Sequence, residues 1–362
     1  MKKKIKLFDP TIDLSERKAL LKIFDSKFWA SGSGSGNVQK FENEFKNYIK
    51  SKSCIAVNSG TAALNIALSL LDIKNKEVII PSLSFISTAN CVLLNGGIPK
   101  FVDVNPKTLC IDPESIEKSI TKKVRAIIPV HFGGMSCDMT KILKLSKKYR
   151  ITIVEDAAHA AGATFKKKKI GTHGFAVCFS FHPVKNLAMP TGGLIALNHS
   201  KAKMYKKKIQ AKRWCGITNR KDDSYQVNEI GDNYYMNEIS AAIGIKQLEK
   251  LNKMNSIRKH IASCYKKDLD DEKKMPFSQE CSYHLYWICV KNRKSFRQKM
   301  QEKGIQTGTH YRPIHTFSLY QNQVKLPITE TVGKQIVTLP MHPNLSDDDV
   351  DKIIYLTNRF SN

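Results

Sequence analysis

The sequence lacks closely spaced cysteine pairs, although it contains nine cysteines in 362 residues. The cysteines lie far apart, with no CxxC and no paired Cys/His spacing. This pattern argues against a zinc ribbon or zinc finger, so we expect no metal site. An odd number of scattered thiols fits a reducing cytosol in which most of them are buried. We therefore expect a cytoplasmic protein.

The sequence also has no hydrophobic stretch long enough to cross a membrane. Its lysine-rich start, residues 1–6, is not followed by the apolar run of a signal peptide. The longest uncharged stretch, 78–99, is interrupted by Pro81, several serines and two asparagines. This stretch predicts a strand followed by a buried helix. We expect no association with a membrane.

Acidic residues are scarce: 32 Asp and Glu stand against 59 Lys and Arg, for a formal charge of +27. The hydrophobic share of 41% and the charged share of 25% exclude a disordered or fibrous chain. The charge is compatible with nucleic acid, an anionic surface, an acidic small substrate or a simple lysine coat. Lysine runs such as 166–169 and 206–208 carry no interleaved aromatic residues. They favour a solvated coat, and we expect no nucleic-acid partner.

Short apolar, β-branched runs alternate with helical patterns from residue 54 to about residue 197. Such runs separated by helices predict a parallel sheet covered on both faces. The predicted strands are 54–57, 77–80, 98–102, 124–129, 151–155, 177–181 and 193–197. A strong amphipathic helix is predicted over 237–251, and beyond about residue 255 the pattern changes to mixed helix and strand. We also expect a helical segment up to Phe28, and a glycine-rich lid or connector at 31–36.

In such a sheet, ligands bind at the carboxyl ends of the strands, and three strand ends carry unusual residues. Asn58-Ser59-Gly60-Thr61 leads directly into a helix, where free N–H groups could hold a phosphate. Taken alone, this segment is better explained as an ordinary helix cap, since Ser and Thr are favoured there. Asp156 ends a very apolar strand, which makes it either a helix cap or a carboxylate that binds a cationic ring nitrogen. Lys185 is the only lysine in the otherwise uncharged stretch 176–197, where a desolvated amine could act as a Schiff-base nucleophile.

A phosphate cradle, a carboxylate for a pyridinium nitrogen and a Schiff-base lysine are together what pyridoxal 5'-phosphate (PLP) requires of a protein. The carboxylate of Asp156 would keep the ring nitrogen protonated. Lys185 would tether the aldehyde and shuttle the proton. Phe85, after the second strand, is placed to stack on the ring, although burial in the core is the commoner fate of a phenylalanine.

These residues lie within motifs that extend over nearly the whole chain. They include 41–45 (FENEF), 58–64 (NSGTAAL), 77–81 (EVIIP), 101–104 (FVDV), 127–131 (IIPVH), 155–159 (EDAAH), 180–185 (SFHPVK), 192–193 (GG), 304–305 (GI) and 310–315 (HYRPIH). The sequence resembles the PLP-dependent sugar aminotransferases of the DegT–StrS type. The resemblance implies an α/β protein with the aspartate aminotransferase fold, a fold type I PLP-dependent transferase. We expect a large domain, residues 1–250, with a mostly parallel seven-stranded sheet flanked by helices, and a smaller C-terminal α+β domain, residues 251–362.

The resemblance also implies roles for individual residues. Lys185 and Asp156 would be the catalytic residues. The cofactor-binding residues would be Gly60, Thr61, Phe85, Asp156, His159, Ser180, Lys185 and Asn233, with His159 near the ring hydroxyl and Asn233 reaching the phosphate of the neighbouring subunit. The substrate-binding residues would be His310, Tyr311 and His315, for which a packing role is an equal alternative. The implied partners are L-glutamate, a nucleotide-linked keto sugar and a second copy of the chain in a homodimer with shared active sites.

The sequence departs from the family pattern in three places. Pro190 and Thr191 stand where Gly-Glu is usual, Tyr235 replaces an arginine, and the loop 31–36 is longer than usual. We expect these departures to alter the shape of the substrate that is accepted or the packing between subunits. The resemblance predicts transfer of an amino group from glutamate to a keto group of a nucleotide-linked deoxysugar, in amino-sugar or polysaccharide biosynthesis. Alternatives are a PLP enzyme of the same fold that acts on a keto-cyclitol or dehydrates a sugar, a PLP-binding regulator, and a basic nucleic-acid-binding protein.

Overall fold

The computed structural model describes residues 4–270, 273–320 and 324–361. The lysine-rich start at residues 1–3 therefore lies outside the described residues. The eleven α-helices described are α1 (Leu14–Ser26), α2 (Asn37–Ile49), α3 (Gly60–Ser69), α4 (Ser87–Leu94), α5 (Pro113–Ser119), α6 (Met139–Tyr149), α7 (Ala202–Lys212), α8 (Glu238–Asp268), α9 (Arg293–Glu302), α10 (Pro327–Gln335) and α11 (Asp347–Phe360). The strands are β1 (Ser53–Val57), β2 (Glu77–Pro81), β3 (Ile98–Val102), β4 (Val124–Ile127), β5 (Thr152–Asp156), β6 (Thr164–Phe165), β7 (Lys168–Lys169), β8 (Ala176–Ser180), β9 (Gly193–Leu197), β10 (Ile217–Lys221), β11 (Ser224–Val227), β12 (Tyr286–Cys289) and β13 (Ile336–Leu339).

A seven-stranded sheet in the order β1-β9-β8-β5-β4-β2-β3 forms the centre of the chain. The pairs from β8 through β5, β4 and β2 to β3 are parallel. β9 runs antiparallel to both of its neighbours. All seven predicted strands are therefore confirmed, and so is the mostly parallel α/β fold.

Side chains alternate between two cores on opposite faces of the sheet, as the period of two in a strand requires. On β1, Ile55 and Val57 pack on the face covered by α3 and α4. Cys54 and Ala56 pack on the opposite face, against α2 and α8. Helices on both faces explain why the central strands of the sheet, such as β8 and β9, are apolar along almost their whole length.

α8 is longer than the predicted helix, which ended at residue 251. It continues to Asp268 because its buried stripe continues through Met254, Arg258, Ile261 and Tyr265. An arginine within this stripe and lysines around it weaken the apolar periodicity that signals a helix. The proposed division into residues 1–250 and 251–362 falls inside α8 and stays a prediction.

The first described residues pack on the C-terminal part of the chain. Ile5 pairs with Ile305 in an isolated parallel bridge, in which the Ile5 N–H donates to the Gly304 carbonyl at 2.8 Å. The antiparallel pair β12–β13 and helices α9 to α11 make up most of this region. The N-terminal segment therefore packs against the C-terminal part of the chain.

The loop at residues 31–36 is a connector between α1 and α2 and is held by buried charge. The Arg213 guanidinium donates to the Ser33 carbonyl at 2.8 Å and pairs with Glu42 at 2.6 Å. A Cβ on Gly34 would lie 2.0 Å from that guanidinium, so the close approach requires glycine. The repeated glycines thus serve packing, and the loop connects α1 to α2.

The cysteines are free thiols, and most of them are buried, as the sequence predicts. Over the described ranges, no helix combines the length and the apolar character needed to cross a membrane.

Candidate active site

A cavity of about 370 Å³ opens where the carboxyl ends of β1, β2, β5 and β8 meet. Side chains at these strand ends converge because parallel strands end at the same edge of a sheet. Nine of the predicted site residues line this cavity, namely Gly60, Thr61, Phe85, Asp156, His159, Ser180, Lys185, His310 and Tyr311. The structure therefore brings together residues that are up to 251 positions apart in the sequence.

Lys185 lies on the turn that follows β8, where its N–H donates to the His182 carbonyl at 2.8 Å. Burial lowers the pKa of its ammonium group to about 8, because desolvation disfavours the charged form. The charge of Asp156 acts in the opposite direction and favours that form. Near neutral pH an appreciable fraction of this amine is unprotonated, as a nucleophile requires.

The Asp156 carboxylate is buried at the end of β5 and accepts two hydrogen bonds. The Thr88 hydroxyl donates to Oδ2 at 2.9 Å, and the Ala158 N–H donates to Oδ1 at 3.1 Å. Burial nevertheless raises the pKa of Asp156 above its usual value. Within the described ranges the carboxylate forms no ion pair, so it is suited to receive a cationic group from a ligand.

The first turn of α3 approaches Ser180 unusually closely. Ser59 caps the helix by accepting from the Ala62 N–H at 3.0 Å. A Cβ on residue 60 would lie 2.6 Å from the Ser180 Cβ, which explains the glycine at that position. The start of α3 and Ser180 therefore lie side by side and both line the cavity, which suits an anion such as a phosphate.

Aromatic rings also line the cavity, among them those of Phe8, Phe85 and Tyr311. Phe85 is 54% exposed, although its ring lies 6.0 Å from the Tyr311 ring, measured between centroids. A large apolar side chain left half-exposed inside a cavity is available to cover a flat ligand. Phe85 is therefore not a buried core residue.

Two histidines of the predicted substrate motif differ in position. His310 lines the cavity and shares a hydrogen bond with the Thr338 hydroxyl at 2.7 Å. Burial, together with the charges of Lys185 and Arg297, lowers the pKa of His310 to about 4. His315 does not line the cavity. It is buried, with Nδ1 2.6 Å from the Ser82 hydroxyl and Nε2 3.6 Å from the Glu330 carboxylate, so its polar contacts lie outside the cavity.

Asn233 also lies outside the cavity of its own chain. Its carbonyl accepts from the Asn58 side chain at 3.2 Å, and its N–H donates to Asp232 at 2.7 Å. This position is next to the segment that leads into α3. The side chain is exposed.

Several site residues could not be identified from the sequence. Thr88 binds Asp156 across 68 positions, and Phe8 comes to the cavity from the N-terminal segment. Thr191, one of the departures from the family pattern, lines the cavity and donates to the Asn58 carbonyl. The uncharged, serine- and threonine-rich segment after β2 was the only signal in the sequence for Thr88.

Comparison with known proteins gives a consistent result. Residues 10–356 match the model of the DegT/DnrJ/EryC1/StrS aminotransferase family. The spore coat polysaccharide biosynthesis protein SpsC of Bacillus subtilis is 34% identical over 368 aligned residues, which cover 95% of this chain and 94% of SpsC.

Solved structures of similar proteins superpose along the whole chain. PseC of Helicobacter pylori, an aminotransferase involved in the biosynthesis of pseudoaminic acid, gives a TM-score of 0.92 at 28% identity and covers 99% of both chains. The PLP form of the putative sugar aminotransferase Spr1654 of Streptococcus pneumoniae gives a TM-score of 0.93 at 26% identity, again covering 99% of both chains.

Proposed function

The chain belongs to the DegT/DnrJ/EryC1/StrS aminotransferase family, and on that premise we propose that it aminates a keto group of a nucleotide-linked deoxysugar with L-glutamate as the donor. It is a PLP-dependent aminotransferase of fold type I. The names of SpsC and PseC support a role in amino-sugar or polysaccharide biosynthesis. The observation that carries the proposal is the convergence of Lys185, Asp156 and the start of α3 on one cavity.

The residues of the cavity fit PLP in three respects. A side chain at position 60 would collide with Ser180, so only glycine fits at the start of α3. The N–H groups at this helix start can hold a phosphate. Asp156 is a buried carboxylate without an ion-pair partner in the described part of the chain, which suits a protonated ring nitrogen. Lys185 supplies an amine of lowered pKa. We propose that Thr61 joins the phosphate contacts and that Phe85 covers the ring.

When bound, PLP supplies an electron sink for the carbanion that forms at the carbon bearing the amino group. Lys185 Nζ is then the group that takes and returns the proton, because its lowered pKa lets it act as base and as acid near neutral pH. Asp156 would bind the protonated ring nitrogen of the cofactor and so fix the orientation of the ring. His310 and Tyr311 line the side of the cavity where we place the sugar. His315 lies outside the cavity and would act on it only by holding, through Ser82, the segment that carries Phe85.

We also propose a homodimer in which Asn233 reaches the cofactor phosphate of the second copy. Asn233 is exposed outside its own cavity. Large apolar side chains are exposed on α1, on the segment that follows it and around the β10–β11 hairpin: Leu21, Phe24, Phe28, Trp29, Tyr225, Val227 and Ile230. A second copy that covers them would remove this apolar surface from water. The free thiols support a reducing cytoplasm as the compartment.

Complementation tests the shared site. Lys185→Ala and Asn233→Ala are each expected to be inactive alone. After the two are unfolded together and refolded, each mixed dimer should contain one intact site, and the mixture should regain about a quarter of the wild-type activity. A mixture as inactive as its components would reject the contribution of Asn233 from the partner.

A spectroscopic titration of the PLP-loaded protein tests the reaction. Glutamate is expected to bleach the visible absorbance band, and a nucleotide-linked keto sugar is expected to restore it. Keto-cyclitols are tested in parallel as the alternative amino-group acceptors. A band that responds to no amino donor would refute the proposed reaction, and so would full turnover by Lys185→Ala.

A further inference from the structure

Both ring nitrogens of His159 are engaged within the chain. The Gly133 N–H donates to Nδ1 at 3.2 Å, and Nε2 lies 3.1 Å from the Tyr311 hydroxyl oxygen. A backbone N–H can only donate, so Nδ1 must be the unprotonated, accepting nitrogen. In the neutral ring the single proton is then on Nε2.

His159 is held in this neutral form. Burial and the charges of Lys185 and His310 lower the pKa of the His159 imidazole well below its usual value. The residue itself is fixed, because its carbonyl accepts from the Ser282 hydroxyl at 3.0 Å and its ring packs 4.5 Å from that of His284. The direction of the Nε2–H bond is therefore set by the surrounding fold.

The Nε2–H group must then donate to the Tyr311 oxygen, which leaves the hydroxyl proton of Tyr311 free. In the described chain, no side chain or carbonyl accepts that proton. Burial raises the pKa of Tyr311, so the hydroxyl keeps its proton at neutral pH. The ring is packed against Phe85, Phe132 and His310 at centroid distances of 6.0, 6.2 and 5.0 Å, and the residue lines the cavity.

We propose that Tyr311 donates a hydrogen bond to an acceptor oxygen of the molecule bound in the cavity, and that His159 is the positioning residue that keeps Tyr311 a donor. The acceptor is an oxygen on the cofactor ring or an oxygen of the sugar. His159 has no ring nitrogen left for the ligand, so it acts through Tyr311. The inference rests on the proposed function, because that function supplies the oxygen.

Tyr311→Phe is the direct test, because it removes the hydroxyl and keeps the packed ring. Two measurements separate the two sources of the acceptor oxygen. If the oxygen is on the cofactor, the apparent pKa of the visible band shifts in the substrate-free PLP enzyme. If it is on the sugar, the band is unchanged and kcat/KM for the keto sugar falls about tenfold, while the glutamate half-reaction keeps its rate.

Tyr265→Phe is the matched control, because its hydroxyl donates to the Pro340 carbonyl at 2.9 Å in the C-terminal core. It should change neither measurement. If Tyr311→Phe also matches the wild type in both, the inference is overturned.

His159 is tested by two substitutions with different hydrogen-bonding capacity. His159→Leu should reproduce the defect of Tyr311→Phe, and adding Tyr311→Phe to it should cause little further loss. His159→Gln should restore most of the signal, because its amide supplies an N–H near the position of Nε2. Equal defects in the Leu and Gln variants would leave only a packing role and reject the proposed one.

Nitrogen NMR of the apoprotein tests the tautomer without any cofactor. The His159 ring should show an Nε2–H tautomer at neutral pH, assigned by comparison with His159→Gln. A cationic ring or an Nδ1–H tautomer overturns the inference even if transamination is observed. Conversely, a wild-type protein that shows the tautomer but never transaminates refutes the proposed function, while the band of its PLP form still tests the hydrogen bond from Tyr311 to a cofactor oxygen.

Discussion

The side-chain amide of Asn186, the residue that follows Lys185, donates to Asn255 Oδ1 at 2.8 Å. The same amide donates to the Ser282 carbonyl at 2.7 Å, and Asn255 in turn donates to the Ala161 carbonyl at 3.0 Å. These bonds attach the turn that carries the amine to α8 and to the segment after β5. The position of Lys185 is thus set by helix and loop contacts outside the cavity.

Loosening this attachment should slow the reaction while leaving substrate binding in place. Asn255→Ala is expected to lower kcat about tenfold with little change in KM, because a misplaced amine affects the chemical step most. Steady-state kinetics of the PLP enzyme measures this. Asn252→Ala, on the same helix, removes an exposed hydrogen bond from Tyr48 and should leave kcat unchanged. A loss of thermal stability at normal kcat would contradict the role of Asn255.

Replacing the buried amine should stabilise the apoprotein in a pH-dependent way. Burial lowers the pKa of Lys185 from 10.5 to about 8, so the unfolded chain binds more protons between these pH values. The free energy of unfolding therefore carries a penalty that is complete below about pH 8 and disappears as the pH rises towards 10.5. Lys185→Met should remove this penalty, on the order of 3 kcal/mol at pH about 7. Urea unfolding of both apoproteins measures it; an advantage that grows from pH about 8 to about 10 would contradict the assignment.

A methyl group at the start of α3 should weaken cofactor binding specifically. In Gly60→Ala the new Cβ would lie 2.6 Å from the Ser180 Cβ, which must push the helix start away from β8. We expect the Kd for PLP to rise at least about tenfold. Gly97→Ala is the control, since its Cβ would meet Val92 at 3.0 Å outside the cavity. Equal PLP affinity in Gly60→Ala and wild type would exclude the phosphate role of this turn.

The buried carboxylate of Asp103 connects the end of β3 to α10. It accepts from the Ile328 and Thr329 N–H groups at 3.1 and 2.7 Å. A residue distant in sequence therefore caps the first turn of α10. Asp103→Ala should lower the free energy of unfolding by about 2–4 kcal/mol, because buried N–H groups lose their acceptor. Asp112→Ala, which removes the cap of α5, should cost about 1 kcal/mol. Equal losses in urea unfolding would show that Asp103 is an ordinary cap.

The seven strands were predictable from the sequence because they are short, largely apolar runs between turn residues, even where β3 includes Lys100 and β4 includes Arg125. The main site residues were predictable because they follow strand ends: Asp156 ends β5 and Lys185 follows β8. The extent of α8 was not predictable, since the buried Arg258 interrupts the apolar periodicity. A single sequence therefore indicates that an element is present more clearly than it indicates where that element ends.

Contacts between distant residues could not be derived from the sequence in the same way. His159 and Tyr311 are 152 positions apart, and nothing local marks them as a pair. The same is true of Thr88 with Asp156. His315 was predicted together with His310 because they share a motif, yet only His310 lines the cavity. Such pairings depend on tertiary packing, which propensity and periodicity do not encode.

The pairing of Ile5 with Ile305 has a consequence for how the chain folds on the ribosome. Synthesis at about 5–20 residues per second separates the emergence of these two partners by tens of seconds. The segment that contains Ile5 leaves the ribosome about 300 residues before Ile305 and stays without its partner during that interval. Phe8, three residues beyond Ile5, contributes to the cavity wall. The cavity is therefore completed late in synthesis, after the central sheet has had time to form.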